Sequence, residues 1–381
     1  MKRWFNMLTI LVVLALAACA PAATSTPTQP PAVPPQAPEP TQVQVSTQTP
    51  ESTKEPEPTQ APEFAAPEGA LVSVKSDTAP TLDGVADEAT WAAAPATTIE
   101  VTGGANAGNT TAELKSLYSG DMVYFLLTYA DPTESVQRSP WKLGEDGTWA
   151  KLTDPADKGG DNNVYYEDKF SMLWPINNSV PKFESVGCGT ACHAGDSTGK
   201  PYGNKFFETE GATADLWHWK SIRNDGQLDD QYVDTQPYDK DNAPEAGRHS
   251  DKNDGGGYKD NQTEDKKLPA FAAPDNQPAP PYFILDSEKV PFEASQYKSG
   301  DEVAGIVKAP FKGDRGDISA GWKYAGGKWT LEFGRKLTTG SPTDVQFDDL
   351  AQTYYFGLAI FDNAQVRHAF QLGATPFVFM P

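Results

Sequence analysis

A chain of 381 residues that is 38% hydrophobic can bury a sizeable core, and its net charge of −21 argues against nucleic acid and anionic lipid surfaces as partners, since both would repel it. The same acidity predicts a soluble body and suits a basic partner protein.

The first residues, Met1-Lys2-Arg3, are basic, and the apolar run at 7–16 that follows is too short to span a bilayer, so it reads as an export signal. It ends in Leu16-Ala17-Ala18-Cys19, which resembles the lipobox of bacterial lipoproteins: small residues admit the signal peptidase, and the thiol of Cys19 takes a diacylglycerol. Residues 1–19 are therefore expected to be a lipoprotein signal peptide with its lipidated Cys, and the anchor places the chain on the outer side of a membrane. Residues 20–67 are rich in Pro, Thr, Ala, Gln and Glu and carry almost no large apolar side chains. Such a stretch cannot bury a core and is expected to be a disordered tether. No second linker interrupts 68–381, which reads as one folded domain.

Within that domain, residues 87–94 suggest one brief helical turn, while short apolar or alternating runs at 112–118, 122–129, 170–176, 329–333 and 354–361 read as strands. No window of helical period is long enough to anchor a bundle, so the expected fold is all-β, a β-sandwich with long loop insertions and few short helices.

The two cysteines left after Cys19 fall in Cys188-Gly189-Thr190-Ala191-Cys192-His193. Covalent haem attachment needs two thiols that reach the two vinyl groups and a His directly after the second, whose imidazole reaches the iron. The usual form is C-x-x-C-H; one more residue separates the thiols here, a less common variant, and the small Gly189, Thr190 and Ala191 let the longer loop fold beside the porphyrin edge. The pattern predicts one haem c, held by Cys188 and Cys192, with His193 as the proximal ligand of the iron. A Cys188–Cys192 disulfide is the competing reading, because an exported protein sits where disulfides form. Nothing in that reading calls for His193, and with four His among 381 residues its position is improbable by chance. Zinc is poorly served, since two Cys and one His leave the fourth ligand unassigned.

Further on, Asp215-Leu216-Trp217-His218-Trp219-Lys220 reads as a strand whose period of two puts Leu216, His218 and Lys220 on one face and both indoles on the other. The first face can meet a haem, with His218 or the neutral amine of Lys220 as sixth ligand; the bland alternative is a polar stripe above a Trp-rich core. Met172, in Phe170-Ser171-Met172-Leu173-Trp174, is a third candidate, because thioether ligation raises the reduction potential, against a plain place in the core. The polar stretch 225–281 reads as a decoration on the sandwich. It contains Asp251-Lys252-Asn253-Asp254-Gly255-Gly256-Gly257, whose oxygen density invites calcium, yet Gly255 stands where a third EF-hand ligand belongs and Gln262 where the bidentate Glu belongs. A solvated loop is the expectation.

Together these segments resemble the haem-binding family of ethylbenzene dehydrogenase γ-subunits and the related cytochrome c-552/DMSO-reductase-like domains. The resemblance rests on Leu82-Asp83-Gly84-Val85-Ala86-Asp87-Glu88-Ala89-Thr90-Trp91, on Tyr166-Glu167-Asp168-Lys169 leading into Met172-Leu173-Trp174-Pro175-Ile176, on the cysteine loop, on Trp217-His218-Trp219-Lys220 and on Phe356-Gly357-Leu358-Ala359-Ile360-Phe361-Asp362-Asn363. It implies a sandwich akin to family 9 carbohydrate-binding modules. In the γ-subunits it implies a non-covalent haem b with Met and Lys ligands, passing electrons from a molybdenum enzyme outside the cytoplasm. This chain departs by adding Cys188, Cys192 and His193, which implies covalent haem c as in the cytochrome members, and the family's Lys ligand tilts the sixth position toward Lys220 over His218.

The leading expectation is an extracytoplasmic mono-haem cytochrome lipoprotein, an electron carrier and not an enzyme, that works with a redox partner protein or as a subunit of a molybdenum-type oxidoreductase. The alternative is a carbohydrate-binding module of the same fold, with surface Trp and Tyr stacking on sugars, a Cys188–Cys192 disulfide and no haem.

Overall fold

The computed structural model describes residues 64–157, 160–191, 204–275 and 277–381. In chain order its strands are β1 (Leu71–Lys75), β2 (Thr97–Val101), β3 (Thr110–Ser119), β4 (Met122–Ala130), β5 (Trp141–Leu143), β6 (Trp149–Lys151), β7 (Lys169–Pro175), β8 (Ala214–Lys220), β9 (Asp229–Val233), β10 (Arg248–Ser250), β11 (Gly255–Asp260), β12 (Phe271–Ala272), β13 (Phe283–Leu285), β14 (Val290–Pro291), β15 (Glu302–Val303), β16 (Ile306–Lys312), β17 (Ser319–Tyr324), β18 (Lys328–Lys336), β19 (Tyr354–Phe361), β20 (Ala369–Phe370) and β21 (Thr375–Phe379). Two four-residue helices, α1 (Thr90–Ala93) and α2 (Phe183–Val186), accompany them. None is long and apolar enough to cross a membrane.

The fold is all-β. One 13-stranded sheet runs β10-β9-β8-β7-β19-β21-β1-β3-β4-β18-β17, with β2 on β3 and β20 on β19. It doubles back on itself, so that one half packs on the other as a sandwich. Across the interior, Phe125 of β4 meets Trp174 of β7 and Trp217 of β8 at ring separations of 6.0 and 5.4 Å, and Trp219 meets Trp329 of β18 at 4.8 Å. Strand parity explains which residues go in: Phe170, Met172 and Trp174 alternate along β7 as Trp217 and Trp219 do along β8, and all five are buried in the main core. Burial of each such large apolar side chain contributes about 1.5–3 kcal/mol.

The opening Asp-Gly motif has a packing role. Gly84 adopts φ +77°, and a Cβ there would lie 2.4 Å from the backbone of Trp322. This close approach lets Gly84 N donate to Glu332 Oε2 at 2.9 Å while Trp91 Nε1 donates to Oε1 at 2.7 Å, pinning the segment to β18.

The stretch 225–281 is not a mere decoration, which corrects the reading from sequence. It supplies β9 and β10 to the large sheet, sends β11 to a small sheet with β16 and β13, and pairs β12 with β14. Its strands carry no hydrophobic alternation because β9 is Asp229-Asp230-Gln231-Tyr232-Val233, with polar side chains buried on both faces.

Candidate functional site

The outward face of β19, β7, β8 and β9 is the other side of the sheet that carries the Trp-rich core. Register fixes its rows. Gly357, Leu173, Leu216 and Gln231 lie abreast, and the next row is Ala359, Ser171, His218 and Asp229. Beyond these, Phe361, Lys169 and Lys220 form a third row.

The segment after α2 covers the first row. Cys188 opens a 3₁₀ turn and is buried with Leu173, Phe183, Ala191, Phe207, Ala214 and Val233 in a second apolar cluster, against which Leu216 packs. Gly357 makes this contact possible: a Cβ there would stand 2.4 Å from Cys188 Sγ. Gly187, at φ +60°, bridges Gly373 in the segment before β21, and a Cβ there would meet the Gly373 carbonyl oxygen at 1.9 Å. The cysteine turn is thus pressed onto the sheet at two glycines. Cys192 and His193, like Cys19, lie outside the described residues.

One row along, His218 is 7% exposed and stacks on Phe361 at 5.8 Å. Its Nδ1 lies 3.2 Å from Gln231 Oε1, whereas Nε2 is buried with no hydrogen-bond partner. With the amide so oriented, Nδ1 carries the proton and Nε2 presents a lone pair. Burial and then the charges of Lys220, Lys169, Arg248 and Arg223 hold the ring well below its ordinary pKa, so it is neutral. A neutral imidazole with an orienting partner on one nitrogen and a bare second nitrogen is the donor a metal centre takes.

Lys220, the preferred sixth ligand on sequence and resemblance, is otherwise engaged. Its Nζ is paired with Asp229 and lies 3.3 Å from Tyr258 Oη, and both Lys220 and Asp229 are fully buried. Arg315 donates to the same carboxylate through Nε at 2.6 Å and Nη2 at 3.1 Å. Burial would raise the pKa of Asp229, but Lys220 and Arg315 outweigh it and bring it to about 2. Moving Lys220 to another partner would leave that carboxylate buried with half its compensation lost. Met172 is on the wrong side: it is fully buried within the sandwich core, on the face opposite Cys188 and His218. The order of preference from sequence is therefore corrected, with His218 the one of the three whose donor atom is available on the face that carries Cys188.

Three contributors escaped the sequence reading. Gln231 orients His218 but sits in a stretch taken for a loop, Gly357 makes room for Cys188, and Lys169 places its buried Nζ 4.0 Å from the centre of the Phe361 ring while donating to the Gln365 carbonyl at 2.9 Å. A signal for two of them was present, since Lys169 and Gly357 lie inside the segments that carry the family resemblance.

One observation suits a haem, the bare Nε2 of His218 on the face of the sheet against which Cys188 packs. Sugar stacking finds less support: among the described residues no Trp or Tyr is exposed, and Trp149, half-buried, lines a shallow groove with Lys266, Lys267 and Leu268.

The family model described as ethylbenzene dehydrogenase matches residues 88–372. Among solved structures, the chain is similar to a family 9 carbohydrate-binding module from Caldicellulosiruptor kristjanssonii in complex with cellotriose, at 8% identity and a TM-score of 0.30, covering 82% of this chain and 94% of that one. The module from that organism in complex with glucose gives 9% identity and 0.30, with 81% and 95% covered. A protein of Bacteroides uniformis described as carbohydrate-binding gives 7% identity and 0.33, with 81% and 98% covered. No curated protein matches the chain.

Proposed function

The chain belongs to the ethylbenzene dehydrogenase family, and on that footing we propose that it is a lipid-anchored, extracytoplasmic cytochrome that carries single electrons on one haem c. Cys188 and Cys192 would hold the haem covalently, and His193 and Nε2 of His218 would ligate its iron. One observation carries the reading: Cys188 lies against the face of the sheet on which a buried, oriented imidazole has no partner for its second nitrogen. A bound haem would supply a one-electron couple.

The rest is the work of the chain. Gln231 holds the His218 ring in one tautomer. Leu173, Leu216 and Phe361 keep water from the face, and Arg248 and Arg223 add positive charge near His218, which suits the two carboxylates that a haem carries. Domains divide as signal and lipid site at 1–19, tether at 20–67 and haem domain at 68–381, with Cys19 as the membrane anchor. The acidic surface suits a basic redox partner, and a molybdenum-type oxidoreductase is the partner class that the family suggests.

The test is the colour of protein made in cells that attach haem c. The expected result is a haem that survives acid-acetone extraction, with the low-spin EPR signature of two imidazole ligands, and a His218→Ala variant that keeps the covalent haem but loses that signature. A colourless protein, or a haem removed by extraction, overturns the cytochrome reading and leaves the sugar-binding module in its place. A bis-imidazole signature that survives His218→Ala overturns the ligand assignment alone.

A further inference from the structure

Four aspartates, Asp215, Asp230, Asp317 and Asp344, face Arg335 of β18, and a fifth, Asp251, faces Asp344. Asp215, Asp230 and Asp344 are buried, with one carboxylate oxygen from each lying within 4.8 Å of the others. Asp251 and Asp317 join them, Asp251 being 3% exposed. Arg335 is fully buried and offers Nη1 to Asp215 Oδ2 at 3.1 Å and to Asp344 Oδ2 at 3.4 Å. Protein donors hold one oxygen of several of these groups: Val345 N and Trp217 Nε1 also donate to Asp215 Oδ2, Thr339 Oγ1 donates to Asp344 Oδ2, and Gln231 N donates to Asp230 Oδ1. The opposite oxygens, Asp215 Oδ1, Asp230 Oδ2, Asp344 Oδ1 and Asp317 Oδ1, are buried without a hydrogen-bond partner. So are both oxygens of Asp251, which faces Asp344 and Thr343.

We propose that this pocket binds one divalent cation of the calcium class, with Asp215, Asp230, Asp251 and Asp344 as oxygen ligands. Buried carboxylates packed this closely against one guanidinium must either take up protons or be coordinated, and a divalent cation would hold them ionised. The chemistry of the donors is all oxygen, as calcium prefers, and Ca–O distances of about 2.3–2.6 Å put opposite ligands about 5 Å apart, which accommodates the spread of the three carboxylates. Asp251 is the independent sign. It opens the run Asp251-Lys252-Asn253-Asp254, yet it leaves the exposed loop to place both oxygens, unpartnered, beside Asp344, while Asp254 stays at the surface. The ligands come from four separate segments, so the cation would tie β8 and β9 to the loop after β10 and to the loop between β18 and β19. This site is distinct from the outward face of β8, because Asp215 shares the core face with Trp217.

The test uses the whole protein, stripped with chelator and titrated with calcium chloride, read by calorimetry and by thermal unfolding. The expected result is one bound Ca²⁺ per chain and a Tm raised by several degrees, with binding weakened at least tenfold in both Asp230→Asn and Asp251→Asn. Those substitutions keep side-chain size, and circular dichroism checks that each variant is folded. No heat and no Tm shift in the stripped wild type, or unchanged affinity in a folded Asp230→Asn, Asp251→Asn double variant, overturns the proposal. Visible absorbance of the haem is recorded in parallel, so loss of the cation site and loss of the haem site are read separately.

Discussion

Asp229 and Asp230 are neighbours on one strand, both fully buried, and their environments could hardly differ more. Asp229 points outward with His218, meets Lys220 and Arg315, and is held ionised, its pKa brought down to about 2 despite burial. Asp230 points inward with Trp217, meets Asp215, Asp344 and Asp251, and is pushed well above the ordinary carboxylate range by burial and then by those charges, with Arg335 opposing. Burial alone decides neither outcome. The sign of the shift follows the neighbours, and the neighbours follow from the side of the strand on which the side chain falls.

Removing the compensated charge should cost the most. Asp229→Asn leaves Lys220 and Arg315 facing each other without their carboxylate, and breaking a buried ion pair from one side costs about 3–5 kcal/mol. Urea unfolding of the variant measures it; a loss under about 1 kcal/mol would mean that the pair contributes little to the fold. The linkage also has a sign. Asp229 titrates in the folded protein at about 2, below its ordinary 3.8, so its contribution is complete above pH 4 and is lost as the pH falls through 2.

Gly357→Ala sharpens the comparison on the outward face. A methyl group 2.4 Å from Cys188 Sγ must push the cysteine turn off the sheet, and overpacking of this kind costs about 1–3 kcal/mol. The expected outcome is a lower Tm and, under the proposed attachment at Cys188, a fall in the fraction of chains carrying covalent haem. Unchanged values of both would show that the turn has room to shift.

The smallest effect is expected inside the aspartate pocket. In chelator, Asp230→Asn replaces a carboxyl whose ionised form burial and its neighbours disfavour with an amide of the same size that never ionises, so the variant should gain on the order of 1 kcal/mol over wild type as the pH rises. The pH dependence runs opposite to that of Asp229. Asp215 and Asp251 are raised by burial to about 7 and about 8, so their contribution is full below pH 3.8 and declines as the pH climbs toward 8. Asp131 and Asp168, raised to about 7 and about 8 by burial, titrate in the same window, so the difference between wild type and Asp230→Asn is the quantity that isolates the pocket. A gap that does not widen between pH 5 and 8 would contradict the pairing of Asp230 with these groups.

What could be read from the sequence was local. The alternation in residues 170–176 and 354–361 gave strands close to β7 and β19, and Trp217-His218-Trp219-Lys220 divided its side chains between two faces as the strand does. The proposal of one covalent cofactor likewise rests on a local feature, the C-x-x-x-C-H spacing. These features depend on the covalent chain and on a period of two, which a string of residues carries by itself.

Tertiary structure decided what depends on distance across the chain. That Gln231 holds His218, that Lys220 belongs to Asp229, that Met172 faces the core, and that Asp215, Asp230, Asp251, Asp317 and Asp344 share one pocket with Arg335 all follow from the doubling of the large sheet and the register of β7, β8 and β9. A polar strand such as β9 has no hydrophobic period to betray it, because ion pairs and hydrogen bonds from distant segments stabilise it in place of apolar burial. Those partners become neighbours only once the sheet has closed, and the sequence encodes them in positions far apart along the chain.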